Sequence, residues 1–212
     1  MIETSAEFSR DDVEEELRQE YLHNFLMRLP ARYRQASFDS FIASTADQEK
    51  ALKVCKSFAD AIVKRHADQR DLAINLILYG QTGNGKTHLA ISILKSIMKR
   101  TSRCRVHYEK CFDISVMLDR TLSQDYLAVQ SQLNRFSEYQ VLVIDDCFKL
   151  TLPSTKELFF SLIDRRYQNA LSTIFITNEE NLTNLDNRVI SRLFECGSCV
   201  PFFWEDYRKE HL

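Results

Sequence analysis

Glycine is scarce in this chain of 212 residues: there are four, and three of them, Gly80, Gly83 and Gly85, fall within six consecutive positions. A sequence that avoids glycine elsewhere has placed it where the backbone must bend and let something approach closely. An excess of basic charge is also lacking. With 28 Lys and Arg against 30 Asp and Glu, the formal net charge is -2. No overall basic field draws nucleic acid, so any DNA contact must come from a local patch. Long apolar runs are missing too. The stretch from Ala73 to Tyr79 is interrupted by Asn75 and is far too short to span a bilayer. The N-terminus has no basic segment followed by an apolar run, so no signal peptide is expected. These absences predict a cytoplasmic protein that makes no membrane contact.

The six cysteines stand at 55, 104, 111, 147, 196 and 199. Only Cys196 and Cys199 form a CxxC pair, and no second pair or histidine cluster completes a zinc site nearby. They read as small apolar residues at a helix end and a strand start, with redox or metal chemistry as the alternative. Hydrophobic residues at 44% and charged residues at 27% are ordinary for a soluble globular chain. The length suits one domain with a short appendage.

Residues 11–29 carry Val13, Leu17, Tyr21, Leu22, Phe25, Leu26 and Leu29 at helical spacing, with acids crowding the first turns. Pro30 ends this helix. Its apolar stripe can pack on the core or dock in a partner's groove, and the partner is the favoured reading. Residues 31–41 read as a linker anchored by Phe38 and Phe41, and a second helix runs from about 47 to 65. The chain thus divides into an arm and linker, 1–41, and a main domain, 42–212. From Leu72 strands alternate with helices. Strands are predicted at 72–79, 105–108, 140–145, 172–177 and 200–203, and helices at 86–99, 112–136 (one or two), 154–169 and 185–195. The pattern predicts an α/β fold, a parallel sheet covered on both faces.

Residues Gly80-Gln81-Thr82-Gly83-Asn84-Gly85-Lys86-Thr87 match GxxxxGK[ST], with an apolar strand before and an amphipathic helix after. The glycines let backbone N–H groups turn inward around a β-phosphate, and the helix N-terminus adds to the attraction. The loop from Gly80 to His88 is therefore the predicted ATP cradle. Lys86 reaches the β- and γ-oxygens, and Thr87 ligates Mg²⁺. Val141-Leu142-Val143-Ile144-Asp145-Asp146 has the form of a Walker B strand. Asp145 would hold Mg²⁺ largely through water, and Asp146 would polarise the attacking water. Asn178, closing the next strand, would help hold that water. Arg188 and Arg192 share one face of a late helix. Arg192 is the better candidate for an arginine finger on a neighbouring subunit, against a plain solvated basic face. Lys99, Arg100, Arg103 and Arg105 form a basic cluster that reads first as solvated helix-end charge, with contact to DNA phosphates as the alternative.

Taken together, Walker A, an Asp-Asp Walker B, Thr177-Asn178 and Ser191-Arg192-Leu193 resemble the AAA+ ATPases. More narrowly, the chain resembles the DnaC/DnaI helicase-loader and IstB-like group, through Tyr33-Arg34-Gln35-Ala36-Ser37-Phe38, Ile163-Asp164-Arg165-Arg166-Tyr167 and Asp206-Tyr207-Arg208. The likeness covers roughly residues 31–208. It implies a P-loop AAA+ three-layer sandwich, Mg²⁺-dependent ATP hydrolysis, self-association through the finger, and loading of a replicative hexameric helicase onto single-stranded DNA. It also implies that residues 112–136 lie where this group carries a DNA-contacting helical insertion. Three departures stand out. The second Walker B acid is Asp rather than the commoner Glu, Cys147-Phe148 replaces the usual apolar residue and Gly, and no full helical lid is expected. Two rival functions share the motif set: an IstB-like transposition helper on duplex DNA, and a nucleotide-gated adaptor that barely hydrolyses ATP.

Overall fold

In the computed structural model, residues 10–70, 74–101, 104–122, 125–147, 153–180, 182 and 186–206 are described. Leu72 and Ala73, Arg103, Phe148, and Tyr207 and Arg208 lie outside them. Five strands, β1 (Asn75–Gly80), β2 (Val106–Lys110), β3 (Val141–Cys147), β4 (Ser172–Thr177) and β5 (Gly197–Phe202), form one parallel sheet in the order β2-β3-β4-β1-β5. Parallel neighbours need crossovers, and helices supply them. Helix α3 (Lys86–Arg100) follows β1, α4 (Cys111–Leu122) and α5 (Tyr126–Phe136) follow β2, α6 (Pro153–Gln168) follows β3, and α7 (Asn187–Glu195) follows β4. Two helices, α1 (Arg10–Arg28) and α2 (Ala46–Ala67), precede the sheet.

Successive strand residues point to opposite faces, and the core divides accordingly. Leu76, Leu78, Val141, Val143, Ile174 and Ile176 pack with α2 and α3. Ile77, Leu142, Ile144 and Phe175 pack with α4 to α7. The result is the expected three-layer sandwich. The chain leaves β1 for the far edge at β2, works back through β3 and β4, then crosses to β5. That reversal beside β1 opens a crevice at the carboxyl ends of the strands, the place where such sheets bind ligands.

Boundaries shift by a few residues from the sequence reading. The 112–136 region forms two helices, and β5 starts at Gly197 because its pairing with β1 begins at Asn75. Asn75, the polar interruption in the apolar stretch, is buried. It accepts from Thr173 N (2.9 Å) and donates to Leu193 O (3.3 Å), joining β1 to β4 and to the end of α7. Helix α2 starts where Thr45 and Gln48 form a reciprocal capping box. Cys196 caps α7 and Cys199 lies in β5. Among the described residues no helix is long and apolar enough to cross a membrane.

The N-terminal helix corrects the partner-docking expectation for most of its stripe. Phe25 and Leu29 are buried in the core, with Tyr21, Leu22 and Leu26 packed against it. The Tyr21 hydroxyl donates to Val106 O (3.0 Å) and accepts from Val106 N (2.9 Å), closing both polar groups of a residue on the sheet's edge strand. Only Val13 and Leu17 of the stripe remain exposed. The basic cluster is engaged locally, Arg100 with Asp60 (2.6 Å) and Arg105 with Glu138 (3.7 Å).

Arg166 is fully buried, and its guanidinium is met by neutral oxygens. It donates to the carbonyls of Phe136 (2.7 Å), Tyr139 (2.9 Å) and Ser172 (2.5 Å) and to Thr173 Oγ1 (3.1 Å). One side chain thus ties α6 to the end of α5 and the start of β4. Replacing it with Met keeps most of the volume but strands two buried carbonyls and a half-buried one, which costs about 3 kcal/mol. Arg166→Met is expected to lower the thermal midpoint by about 6–12 °C, read by circular dichroism.

Candidate nucleotide-binding site

The loop after β1 needs glycine for steric reasons. A Cβ at Gly80 would sit 2.5 Å from Phe202 O of the adjoining strand, and Gly85, at φ +89°, takes a left-handed conformation at the N-cap of α3. Lys86 opens α3 and is 95% buried; its Nζ donates to Gly80 O (2.7 Å) and to Gln81 O. The loop is gripped from outside by a strap made of the end of β5 and the residues that follow it, 202–204. Asn84 Nδ2 donates to Phe202 O (3.0 Å) and to Trp204 O, while Trp204 Nε1 donates to Asn84 O (3.1 Å). The linker holds the other flank. His88 Nε2 donates to Ser37 O (2.8 Å), and the Phe41 ring lies against Gly85 and His88.

Beside the loop, β3 presents Asp145. Its Oδ2 accepts from Thr87 Oγ1 (3.0 Å) and from the Tyr108 hydroxyl of β2 (2.7 Å), and its Oδ1 accepts from Asp146 N (2.8 Å). Burial raises the Asp145 carboxyl above its ordinary value, while the hydrogen bonds from Tyr108, Thr87 and the Asp146 amide pull it back. A buried carboxylate and a hydroxyl 3.0 Å apart are hard oxygen donors that fit Mg²⁺.

Asp146 is placed by a defect in the sheet. Between Ile144 and Cys147 the pairing of β3 with β4 slips, and Asp146 adopts φ +58°. Such a bulge re-aims a side chain. Here it brings the Asp146 carboxylate to Asn178, whose Nδ2 donates to Oδ1 at 2.6 Å. Thr177 Oγ1 donates to Cys147 O (2.6 Å) and secures the same junction.

A cavity of about 510 Å³ brings together Lys86, Thr87, His88, Asp145, Asp146 and Asn178 with the rest of the loop from Thr82. Gln81 lies instead on an adjoining cavity of about 580 Å³, shared with Thr82, Asn178 and the acids Glu180, Glu205 and Asp206. Gly80 supplies backbone geometry, and the Asn84 amide turns to the strap. Arg192 is not among the residues lining either cavity. Its Nε donates to Asp164 (2.8 Å), and its guanidinium stacks on Tyr167 at 5.0 Å. Arg188 is more tightly engaged, with Glu157 (2.8 and 3.0 Å), Asp186 and the Phe160 ring.

Sequence reasoning missed Tyr108, Arg32, Tyr33 and Lys110, all at or beside the cavity. Tyr108 was findable in principle, since it shares a strand face with Val106 and stands two residues before the carboxyl end of β2. Arg32 and Tyr33 were not, because nothing local says that a 3₁₀ turn after Pro30 folds back over a loop fifty residues on.

Comparison with known proteins agrees with this geometry. A family model for the bacterial DnaA ATPase domain matches residues 33–200. The ATP-binding protein of insertion sequence IS232 from Bacillus thuringiensis subsp. berliner is 34% identical over 164 residues, which cover 72% of this chain and 62% of that protein. The solved DnaC helicase loader superposes with a TM-score of 0.68 at 24% identity, over 82% of this chain and 99% of that one. AMPPCP-bound DnaA from Aquifex aeolicus superposes with a TM-score of 0.66 at 20% identity, over 84% of this chain and 53% of that one. At these identities the two structures establish the fold, the P-loop AAA+ sandwich. The matched span runs from the 3₁₀ turn to β5, and the chain belongs to the bacterial DnaA ATPase domain family.

Proposed function

We propose that this chain binds and hydrolyses ATP and uses the nucleotide state to gate its contacts with a replicative helicase on single-stranded DNA. One observation carries the chemistry: Lys86, Thr87, Asp145 and the Asp146–Asn178 pair converge on a single cavity at the carboxyl edge of the sheet. Backbone amides from Gly83 to Thr87 and the α3 N-terminus receive the β-phosphate. Lys86 exchanges its loop carbonyls for phosphate oxygens. Thr87 and Asp145 hold Mg²⁺, which when bound neutralises charge on the β- and γ-phosphates. Asp146, fixed by Asn178, accepts a hydrogen bond from the attacking water and orients it. Tyr33 and Arg32 wall the cavity toward the base.

Arg192 acts in this reading on a neighbouring subunit's γ-phosphate. Asp164 holds its Nε, and among the described residues no hydrogen bond engages its two terminal nitrogens, which suit a phosphate, whereas Arg188 has both terminal nitrogens engaged. The ATPase domain is assigned to 42–212 and the arm and linker to 1–41, with the work done in the cytoplasm. The fold shared with the DnaC loader supports helicase loading. The 34% identity to the IS232 protein favours a second reading, a transposition helper on duplex DNA. Pull-down with and without ATP separates them: recovery of a hexameric helicase supports the first, and recovery of a transposase overturns it.

Two further outcomes test the chemistry. Trp204 is the only tryptophan, and it is hydrogen-bonded to the loop, so MgATP is expected to change its emission. Lys86→Ala weakens this titration about 100-fold, as loss of about 2.7 kcal/mol requires. An unchanged titration in that variant would sink the site assignment. Arg192→Ala retains the emission change but loses the rise in turnover with protein concentration. Mixing it with Asp146→Asn, which supplies an intact finger but an inert site, restores phosphate release. If the mixture stays at the level of its parts, Arg192 does not act across subunits.

A further inference from the structure

We propose that Tyr108 is a positioning residue of the magnesium site, its hydroxyl fixing the orientation of the Asp145 carboxylate and thereby the affinity for the cation. The inference rests on the nucleotide-binding reading above and adds to it a residue outside the Walker motifs. Its basis is the convergence of two hydroxyls on one oxygen. Asp145 Oδ2 accepts from Tyr108 at 2.7 Å and from Thr87 at 3.0 Å, while Oδ1 accepts only the Asp146 amide among the described bonds. With Oδ2 occupied by two donors, the carboxylate is held against rotation about its terminal torsion, which is otherwise soft. The lone pair left on Oδ1 then has one direction. Thr87 would hold the cation through an oxygen lone pair, which leaves its proton for Oδ2, and the Tyr108 bond uses neither that lone pair nor the one on Oδ1.

The phenol is itself held in place. Tyr108 lies on the same strand face as Val106, whose amide and carbonyl are both bonded to the Tyr21 hydroxyl of α1. The register sets Tyr108 against Val143 and Lys110 against Asp145, so the ring runs along the sheet toward the carboxyl edge and its hydroxyl meets the carboxylate there. Groups that orient a metal ligand from behind tune metal affinity about 10- to 100-fold.

Tyr108→Phe removes the oxygen and keeps the ring. In the full chain, Trp204 emission is titrated with ADP in EDTA and then with Mg²⁺ at fixed nucleotide. The expected result is a Mg²⁺ half-saturation raised about 10-fold, with ADP affinity in EDTA changed far less; the lost bond to a buried carboxylate lowers the melting midpoint as well, so the selective effect on Mg²⁺ is the readout. Equal Mg²⁺ titrations for variant and wild type would overturn the inference. So would an equal loss of ADP affinity with and without the cation, which marks a purely structural residue. If wild-type protein binds ADP but ignores Mg²⁺, the inference alone fails; if it shows no response to ADP with or without Mg²⁺, the nucleotide-binding reading itself fails.

Discussion

The Asp145 carboxylate receives donors from three separate pieces of chain: Thr87 from the start of α3, Tyr108 from β2, and the amide of its own strand neighbour. Such a meeting point exists only because parallel strands deliver all their carboxyl ends to one edge. The order β2-β3-β4-β1-β5 then sets β3 between the strand that brings Tyr108 and the strand that brings Asn178. A one-residue slip of β2 on β3 would turn Tyr108 to the other face of the sheet. The core alternation, Val106, Val141 and Val143 toward α3 and Leu142 and Ile144 toward α6, resists that slip.

The two acids of the Walker B strand are then treated in opposite ways. Asp145 is buried and accepts three donors that leave one Oδ1 lone pair over, suited to holding a cation in a fixed place. Asp146 is exposed, bulged out of register and hydrogen-bonded to an exposed amide. A left-handed non-glycine residue costs of order 1–3 kcal/mol, and the surrounding pairs Asp145–Asp146 N and Thr177–Cys147 hold it there. An aspartate tolerates that conformation better than a glutamate does. The short acid at this position is thus compatible with a backbone that turns it toward Asn178, rather than merely a truncated version of the commoner residue.

Legibility in the sequence followed the range of the interaction. The loop from Gly80 to Thr87 is contiguous, so its chemistry shows as spacing, and the strand and helix around it show as period. The alternation of strands and helices likewise fixed the layer order. Asp145 and Asp146 read as a pair, but the bulge that separates their roles did not. It arises from pairing with β4, which no local pattern encodes. The N-terminal stripe was legible as a helix and misread as a docking surface. An apolar face looks the same whether it covers its own sheet edge or a partner, and only Tyr21 meeting both polar groups of Val106 decides it. In Ile163-Asp164-Arg165-Arg166-Tyr167 the sequence showed a cluster. The fold divides it into a buried clamp, Arg166, and a bracket for Arg192, Asp164 and Tyr167.

The phosphate loop has little slack of its own, because two segments from elsewhere in the chain hold it. Residues 202–204 bind Asn84 through three hydrogen bonds, and residues 37–41 bind His88 and cover Gly85. The Lys86 bonds to the carbonyls of Gly80 and Gln81 are a third restraint from within the loop, at the end of a flexible side chain that can exchange them for other acceptors. The strap at the end of β5 and the linker before α2 are hydrogen-bonded but largely surface segments, the class from which moving elements are drawn. The linker continues into α1, which reaches back to β2 through Tyr21. The loop and the edge strand that carries Tyr108 are therefore joined by a closed path of contacts, from loop to linker to arm to strand and back to Asp145.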